Sequence, residues 1–288
     1  MHEFFVIFVA KGLLPIMSND YLLDGLMNYF DLLQQRLRPP RNGWLDVDST
    51  LAHFALITYA IPMQRLAAHI PQDRFEIATF DVGSERRALI SAVPFIDADF
   101  RFRVVPFARF GFGQTNYRAY VINKYTGQHG VWFFGTTLGS WVVNIARALW
   151  RIPWHSAQYA VDCVYDAAQH RYTRYAMQAQ SRWSALRVHL EDSGQPLVTH
   201  AGFESMDAMR LILTHPVDGY FYRLDGALGS YSVWHEVLPL TEAKPTDAYF
   251  GVFERLGLLS REEMLHPLSS LVCPTTQFRV LLPPHLLH

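Results

Sequence analysis

A row of polar side chains between residues 114 and 120 is the part of the sequence best suited to chemistry. Gln114, Asn116, Arg118 and Tyr120 lie in the segment FGQTNYRAYV, whose aromatic and β-branched residues predict a strand. Side chains two residues apart on a strand point to the same face, so these four should share one face. If that face lines the inside of a closed sheet, Arg118 can bind a carboxylate by donating two parallel N–H···O hydrogen bonds.

Arg118 also has a purely structural interpretation. A guanidinium on a buried strand is costly unless it is paired. An internal Asp or Glu, or backbone carbonyl groups, would satisfy it as well as a ligand would. The sequence leaves both interpretations open.

Two further residues are candidates for the same site. His155, which follows Trp154 beyond a predicted helix, could act as a general base, and Tyr120 could also move protons. Trp132 could contact a ligand together with Gln114, Asn116 and Arg118, although core packing is the better explanation of an aromatic run of this kind.

The familiar catalytic and cofactor motifs are absent. The sequence contains no GxSxG elbow, HExxH helix, phosphate-binding loop or EF-hand loop. Gly111-Phe112-Gly113 lacks the third glycine of a dinucleotide site, and His235-Glu236 should point to opposite faces of a strand. The 13 histidines are scattered without metal-ligand spacing. We therefore expect neither a metal nor an organic cofactor.

The elements that must position these residues are mainly strands. β-rich runs joined by turns predict hairpins at residues 74–95, 116–138 and 219–237, further strands at about 157–165, 171–179 and 182–191, and a last strand at 277–282. Helices are predicted at 20–37, 62–69, 141–150 and near 247–256. Many short strands without βαβ alternation predict a mainly β protein with a closed or nearly closed antiparallel sheet and peripheral helices.

Composition limits the partners. The formal net charge is −1 and the hydrophobic fraction is 50%, so the sequence predicts a well-buried core and favours neither nucleic acid nor an anionic membrane surface. Cys163 and Cys273 form no CxxC pair, which fits a reducing cytoplasm. We expect a small organic ligand that bears a carboxylate. A homo-oligomer is compatible with the sequence, although no heptad or charge pattern indicates one.

The N-terminal region has two interpretations. The apolar run FFVIFVA near Met1 lacks preceding basic residues and is too short to span a membrane. Met17 is an alternative initiator. We expect residues 1–45 to be an extension with an amphipathic helix and residues 46–288 to form one β-domain.

Several sequence blocks resemble a known family. FGQTNYRAYV, GVWFFGTTL, ARALWRIPWHSAQ, FESMDAMRLILTHPVDGYFY and VWHEVLPLTEA are similar to blocks of the YqjF-like family of uncharacterised bacterial proteins, which is grouped by fold with acetoacetate decarboxylase. The resemblance covers residues 50–282 and implies an acetoacetate-decarboxylase-like β-barrel. The family pattern usually has Glu where this sequence has Gln114.

The resemblance also bears on mechanism. The decarboxylases of this fold form a Schiff base through a lysine, and alignment places that lysine near Tyr120 or Val121, neither of which can do this chemistry. Lys124 is the nearest lysine, in a predicted turn where a solvated amine is expected. The sequence thus predicts a lyase or hydratase that acts on a small oxo-acid without a Schiff base. The alternatives are a non-catalytic protein that binds a small molecule in the barrel cavity, and an assembly role.

Overall fold

The described part of the chain, residues 29–216 and 218–287 of a computed structural model, is built mainly from β-strands. The strands are β1 (Val47–Ile61), β2 (Phe75–Ile77), β3 (Thr79–Val82), β4 (Glu85–Phe102), β5 (Phe110–Asn123), β6 (His129–Leu138), β7 (Trp154–Ser156), β8 (Gln158–Asp166), β9 (Arg171–Gln180), β10 (Ala185–Pro196), β11 (Asp218–Tyr222), β12 (Leu228–His235), β13 (Thr241–Phe250) and β14 (Ser269–Leu286). The helices are α1 (Tyr29–Leu37), α2 (Met63–Ala67), α3 (Val142–Trp150), α4 (Met206–Thr214) and α5 (Gly251–Arg255), with a 3-10 turn at Glu263–Leu265.

Seven strands pair in a ring. Their order is β1-β4-β5-β6-β11-β12-β14, and β14 pairs again with β1, so that the ring closes. Four more strands leave the ring from β14 in the order β13-β10-β9-β8. The expected barrel therefore describes only the ring, because the sheet as a whole forks at β14 and is not a simple barrel.

The sheet is not purely antiparallel either. β6 runs parallel to both β7 and β11, while the other pairings are antiparallel. Parallel neighbours need a long crossover connection. The chain supplies one, because α3, β7 to β10 and α4 all lie between β6 and β11.

Two apolar cores lie on the two faces of the ring strands. Along β5, Tyr117, Ala119 and Val121 face a core shared with β9, β10, β13 and α5. Phe112 and Tyr120 of the same strand face a second core inside the ring, which also contains residues of α3 and α4. Strict alternation along β5 therefore separates an outer core from the ring interior.

Most predicted elements are observed, with altered lengths. The hairpins β3–β4, β5–β6 and β11–β12 match their predictions. The last strand extends far beyond residues 277–282, to Ser269–Leu286, and the helix predicted near 247–256 shrinks to Gly251–Arg255 because β13 occupies the residues before it. The helix predicted at 20–37 is described only from Tyr29, and Met17 lies outside the described residues.

Helix α4 was not predicted. Its apolar run Leu211-Ile212-Leu213 is compatible with a strand as well as a helix. Ser205 caps the helix by accepting a hydrogen bond from the Ala208 amide at 3.1 Å. α4 packs Met209, Ile212 and Leu213 into the ring interior, and it thereby brings its C-terminal carbonyl groups to the polar row of β5.

Candidate active site inside the strand ring

A cavity of about 60 Å³ lies inside the ring. Its walls come from β1, β4, β5, β6, β11, β12 and β14, which are the seven ring strands. Most of the lining is aromatic or aliphatic. The polar lining residues are Asp97, Gln114, Asn116, Arg118, Thr214, Asp218 and His235. An apolar cavity with a few converging polar groups is the usual form of a small-molecule site.

Arg118 is the only polar-row residue with a fixed positive charge, and it is buried at 8% exposure. One terminal nitrogen, Nη2, donates to the Leu213 carbonyl at the end of α4 at 2.7 Å and to the Tyr120 hydroxyl at 3.4 Å. The guanidinium carbon lies 5.5 Å from the Tyr120 ring centroid. Arg118 Nε has no hydrogen-bond partner among the described residues, and none of their carboxylates forms an ion pair with the side chain. The guanidinium thus retains donor capacity inside the cavity.

The two amides of the polar row are bonded to each other. Gln114 Nε2 donates to Asn116 Oδ1 at 3.1 Å, and the Thr136 hydroxyl donates to the same oxygen at 2.9 Å. These bonds occupy the carbonyl oxygen of Asn116. Its amide nitrogen is therefore the group of Asn116 that can donate to a ligand beside Arg118.

Tyr120 lies beneath the guanidinium and does not itself line the cavity. Its hydroxyl is hydrogen-bonded to Ser91 Oγ at 2.8 Å, which is in turn 2.8 Å from Thr58 Oγ1. This buried hydroxyl chain fixes the Tyr120 ring against which Arg118 packs. Tyr120 consequently positions the guanidinium.

Two residues of β12, Tyr231 and His235, line the cavity near Arg118, and the sequence did not single out Tyr231 as a candidate. Tyr231 of β12 stacks against Phe133, with ring centroids 5.6 Å apart. Burial raises the pKa of its phenol, an effect that the charge of Arg118 partly opposes. Tyr231 is therefore neutral at physiological pH and able to donate a proton or a hydrogen bond.

His235 at the end of β12 has its ring nitrogens 2.6 Å from the Thr214 carbonyl oxygen and 2.7 Å from the Glu236 carbonyl oxygen.

Two histidines, His215 and His235, lie together at this end of the cavity. His215 lies with its ring centroid 4.2 Å from that of His235. Burial, reinforced by His235, lowers the pKa of His215 to about 3, and burial also lowers the pKa of His235. His235 is the last residue of β12 and is buried, whereas Glu236 follows the strand and its side chain is exposed.

Asp97 of β4 is the second functional group missed in the sequence. Its Oδ1 accepts a hydrogen bond from Ser49 at 2.7 Å, while Oδ2 is buried without a partner among the described residues. Complete burial raises the pKa of this carboxyl to about 7, and the Ser49 hydrogen bond opposes that rise. Asp97 is two and four residues from Phe95 and Val93, which also line the cavity, and this spacing was the available signal.

Other predicted site residues lie elsewhere. Trp132 is on the outer face of β6, where its ring contacts Phe75 and Tyr222, and it does not line the cavity. His155 stacks on Trp183 outside the ring, with centroids 4.1 Å apart. Burial, together with the charges of Arg147 and Arg255, lowers the pKa of His155 to about 4.

The described lysines are also outside the cavity. Lys124 lies exposed in the β5–β6 turn, where its amine donates to the Gln72 carbonyl at 2.5 Å. Lys244 is exposed on β13, and Lys11 lies outside the described residues.

A wider cleft adjoins the cavity at the Arg118 end. It has a volume of about 370 Å³ and shares Pro216, Val233 and His235 with the cavity. Arg36 of α1 lines its other side, and burial lowers the pKa of Arg36 although Asp218 opposes the shift. The cleft extends the polar end of the cavity toward α1.

Neither a metal cluster nor a membrane helix is found in the described parts of the chain. No group of three or more His, Cys, Asp or Glu side chains within residues 29–216 and 218–287 is arranged to hold a metal ion. Within the same residues, no helix has the length and apolar character needed to cross a bilayer.

Comparison with solved structures defines the fold class. Acetoacetate decarboxylase from Legionella pneumophila subsp. pneumophila str. Philadelphia 1 superposes with a TM-score of 0.52 at 12% identity, over 89% of this chain and 95% of that one. An acetoacetate decarboxylase-like enzyme from Sphingomonas wittichii RW1 gives 0.54 at 10% identity, over 86% and 94%. The enduracididine biosynthesis enzyme MppR complexed with pyruvate gives 0.53 at 11% identity, over 87% and 93%. The chain has the acetoacetate-decarboxylase-like fold.

The sequence assigns the chain more narrowly within that class. Residues 48–275 match the family DUF2071, described as an uncharacterised conserved protein, and the chain belongs to this family. This confirms the resemblance to an uncharacterised family of the acetoacetate decarboxylase-like group. No curated protein matches the sequence.

Proposed function

We propose that this protein binds a small oxo-acid inside the strand ring and acts on it as a lyase or hydratase without a Schiff-base lysine. The observation that carries the proposal is the Arg118 guanidinium, which is buried in an apolar cavity, has an unpartnered Nε and forms no ion pair with a described carboxylate. A buried charge of this kind is costly until a counter-ion arrives. The pyruvate in the MppR structure supports an oxo-acid as the ligand class.

The position of the cation favours reactions that keep the carboxylate. Decarboxylation would convert the bound anion into neutral CO₂, and Arg118 would then stabilise the ground state more than the transition state. Addition or removal of water, and cleavage or formation of a carbon–carbon bond further along the molecule, leave the carboxylate in place. A hydratase or a lyase of the latter kind therefore fits the site better than a decarboxylase.

Proton supply falls to Tyr231 in this proposal. Its phenol lines the cavity beside Arg118 and is neutral, so it can donate to the oxo group of a ligand whose carboxylate is held by Arg118. Tyr120 acts as a positioning residue. His155 has no part, because it lies outside the ring.

One observation favours the alternative of a non-catalytic binding protein. Both ring nitrogens of His235, which lines the cavity, already face carbonyl oxygens, so neither nitrogen is available to contact a ligand. A protein that sequesters a carboxylate would need only Arg118 and the apolar walls. Measured turnover separates the two functions.

The test is a calorimetric titration of the protein with a set of 2-oxo acids, followed by NMR of the mixtures in D₂O. Arg118→Gln should weaken binding at least about tenfold, because a charge-assisted hydrogen bond is lost. Arg147→Gln is the matched control, since Arg147 also donates to a backbone carbonyl, that of Trp154 at 2.6 Å, but lies outside the cavity. It should bind normally.

NMR then separates catalysis from binding. Loss of the oxo-acid, or deuterium exchange next to its carbonyl, should occur with the wild-type protein and be reduced in Tyr231→Phe. Binding that depends on Arg118 without any such change would support the binding protein. Equal affinities of wild type and Arg118→Gln would refute the site.

A further inference from the structure

The cavity has a second polar end at Asp97, far from Arg118. In the β4–β5 pairing Arg118 lies opposite Ser91, whereas Asp97 lies opposite Phe112. No register shift intervenes between Ile90 and Asp97. Six residues of extended strand separate Ser91 from Asp97, which corresponds to about 20 Å. Arg118 and Asp97 thus sit toward opposite ends of one cavity.

No direct ion pair connects the two ends within the described residues. The charge of Arg118 affects the pKa of Tyr231 and of His235, which places those groups at its end. Burial raises the pKa of Asp97 and the Ser49 hydrogen bond opposes the rise, and no ion pair joins Asp97 to Arg118 among the described residues. Asp97 therefore does not serve as the counter-ion of Arg118.

The wall between the ends is mostly apolar. Val93, Phe95, Phe133 and Phe278 line it together with the amide pair of the polar row. A cavity of only about 60 Å³ that reaches both ends is narrow. It suits an unbranched chain better than a bulky group.

We propose that the ligand is an elongated acid whose carboxylate binds Arg118 and whose far end carries a hydroxyl group that binds Asp97. This rests on the proposed function and names its substrate class as an unbranched oxo-acid with a distal hydroxyl. Asp97 Oδ2, which has no partner within the part of the chain that the structure describes, supplies the hydrogen-bonding capacity. A hydroxyl group satisfies this carboxyl in either protonation state, because it donates to the ionised form and accepts from the protonated one.

The affinity of the cavity for an acid should depend on the length of the acid. After allowance for a hydrogen bond at each end and for the reach of the two side chains, the ligand should span about 10 to 15 Å of the roughly 20 Å between the ends. A three-carbon acid would reach only Arg118. A chain of matching length should gain affinity from its hydroxyl group.

The experiment titrates wild-type protein with ω-hydroxy acids of about six to twelve carbons, a range chosen to bracket that span, and with the plain acids of equal length. At one length the hydroxy acid should bind about tenfold more tightly than its plain partner. Asp97→Leu should abolish that difference and leave the plain acids unaffected. Asp97→Asn, which keeps a hydrogen-bonding group, should retain part of it.

The outcomes separate this inference from the proposed function. If the plain and hydroxy acids bind equally at every length while Arg118→Gln weakens both, the elongated ligand is wrong and the carboxylate site stands. If no acid binds to the wild-type protein, the proposed function fails as well. The comparison of acids on wild-type protein alone decides the matter even if Asp97→Leu does not fold.

Discussion

Replacement of Arg118 by Met should abolish carboxylate binding at little cost in stability. The variant loses the hydrogen bond to the Leu213 carbonyl, which leaves a buried acceptor unpaired at a cost of about 1–3 kcal/mol. It also loses the contact between the guanidinium and the Tyr120 ring, worth about 1–2 kcal/mol when buried. Against this, removal of an unpaired buried charge recovers several kcal/mol of desolvation energy. We expect the free energy of unfolding to change by less than about 2 kcal/mol.

Urea denaturation with and without ligand measures both effects. Wild-type protein should gain about 2.7 kcal/mol when a carboxylate ligand is present at a hundred times its dissociation constant. Arg118→Met should gain nothing. A loss of about 3–5 kcal/mol in the variant without ligand would refute this reasoning, because such a loss is typical of a broken buried pair and would make Arg118 a structural residue.

Three other changes test the surroundings of the site. Because the folded-state pKa of Asp97 is raised to about 7, the native state keeps this proton between about pH 4 and pH 7 while the unfolded state releases it. Wild-type stability should therefore fall by roughly 4 kcal/mol across that interval and level off above it, relative to Asp97→Asn in the same urea titrations. Ser205→Ala should lower the free energy of unfolding by about 1 kcal/mol through loss of the α4 cap, and Ser205→Asp should restore it. Gly219→Ala would place a methyl group 2.1 Å from a ring carbon of Phe133, so it should lower the free energy of unfolding by about 1–3 kcal/mol and weaken ligand binding. Gly111→Ala is the control and should be tolerated, because its methyl group would meet no atom closer than 3.6 Å.

Local patterns predicted the strands and one wall of the cavity. Alternation along residues 114–120 placed Gln114, Asn116 and Arg118 on one face, and all three line the cavity. The hairpins followed from turn residues close in sequence. Trp132 was harder to place, because the pairing of β5 with β6 shifts register after Tyr117 and the face of a neighbouring strand depends on that pairing.

The pairing of strands that are far apart in the chain could not be predicted from the sequence. The ring closes through β1 and β14, whose paired residues Val47 and Val280 are far apart in the chain. The parallel pairing of β6 with β11 brings β12, with Tyr231 and His235, toward Arg118, and the β1–β14 pairing closes the ring around the cavity that Asp97 also lines. Helix α4 supplies the carbonyl acceptor for Arg118. It was not predicted, because its apolar run is compatible with a strand as well as with a helix.

A crystal structure of the protein soaked with a 2-oxo acid tests the central claim most directly. We expect the ligand carboxylate inside the strand ring, with an oxygen about 2.9 Å from Arg118 Nε. A ligand bound elsewhere, or an Arg118 side chain that keeps its present contacts while the cavity stays without ligand at saturating concentration, would contradict it.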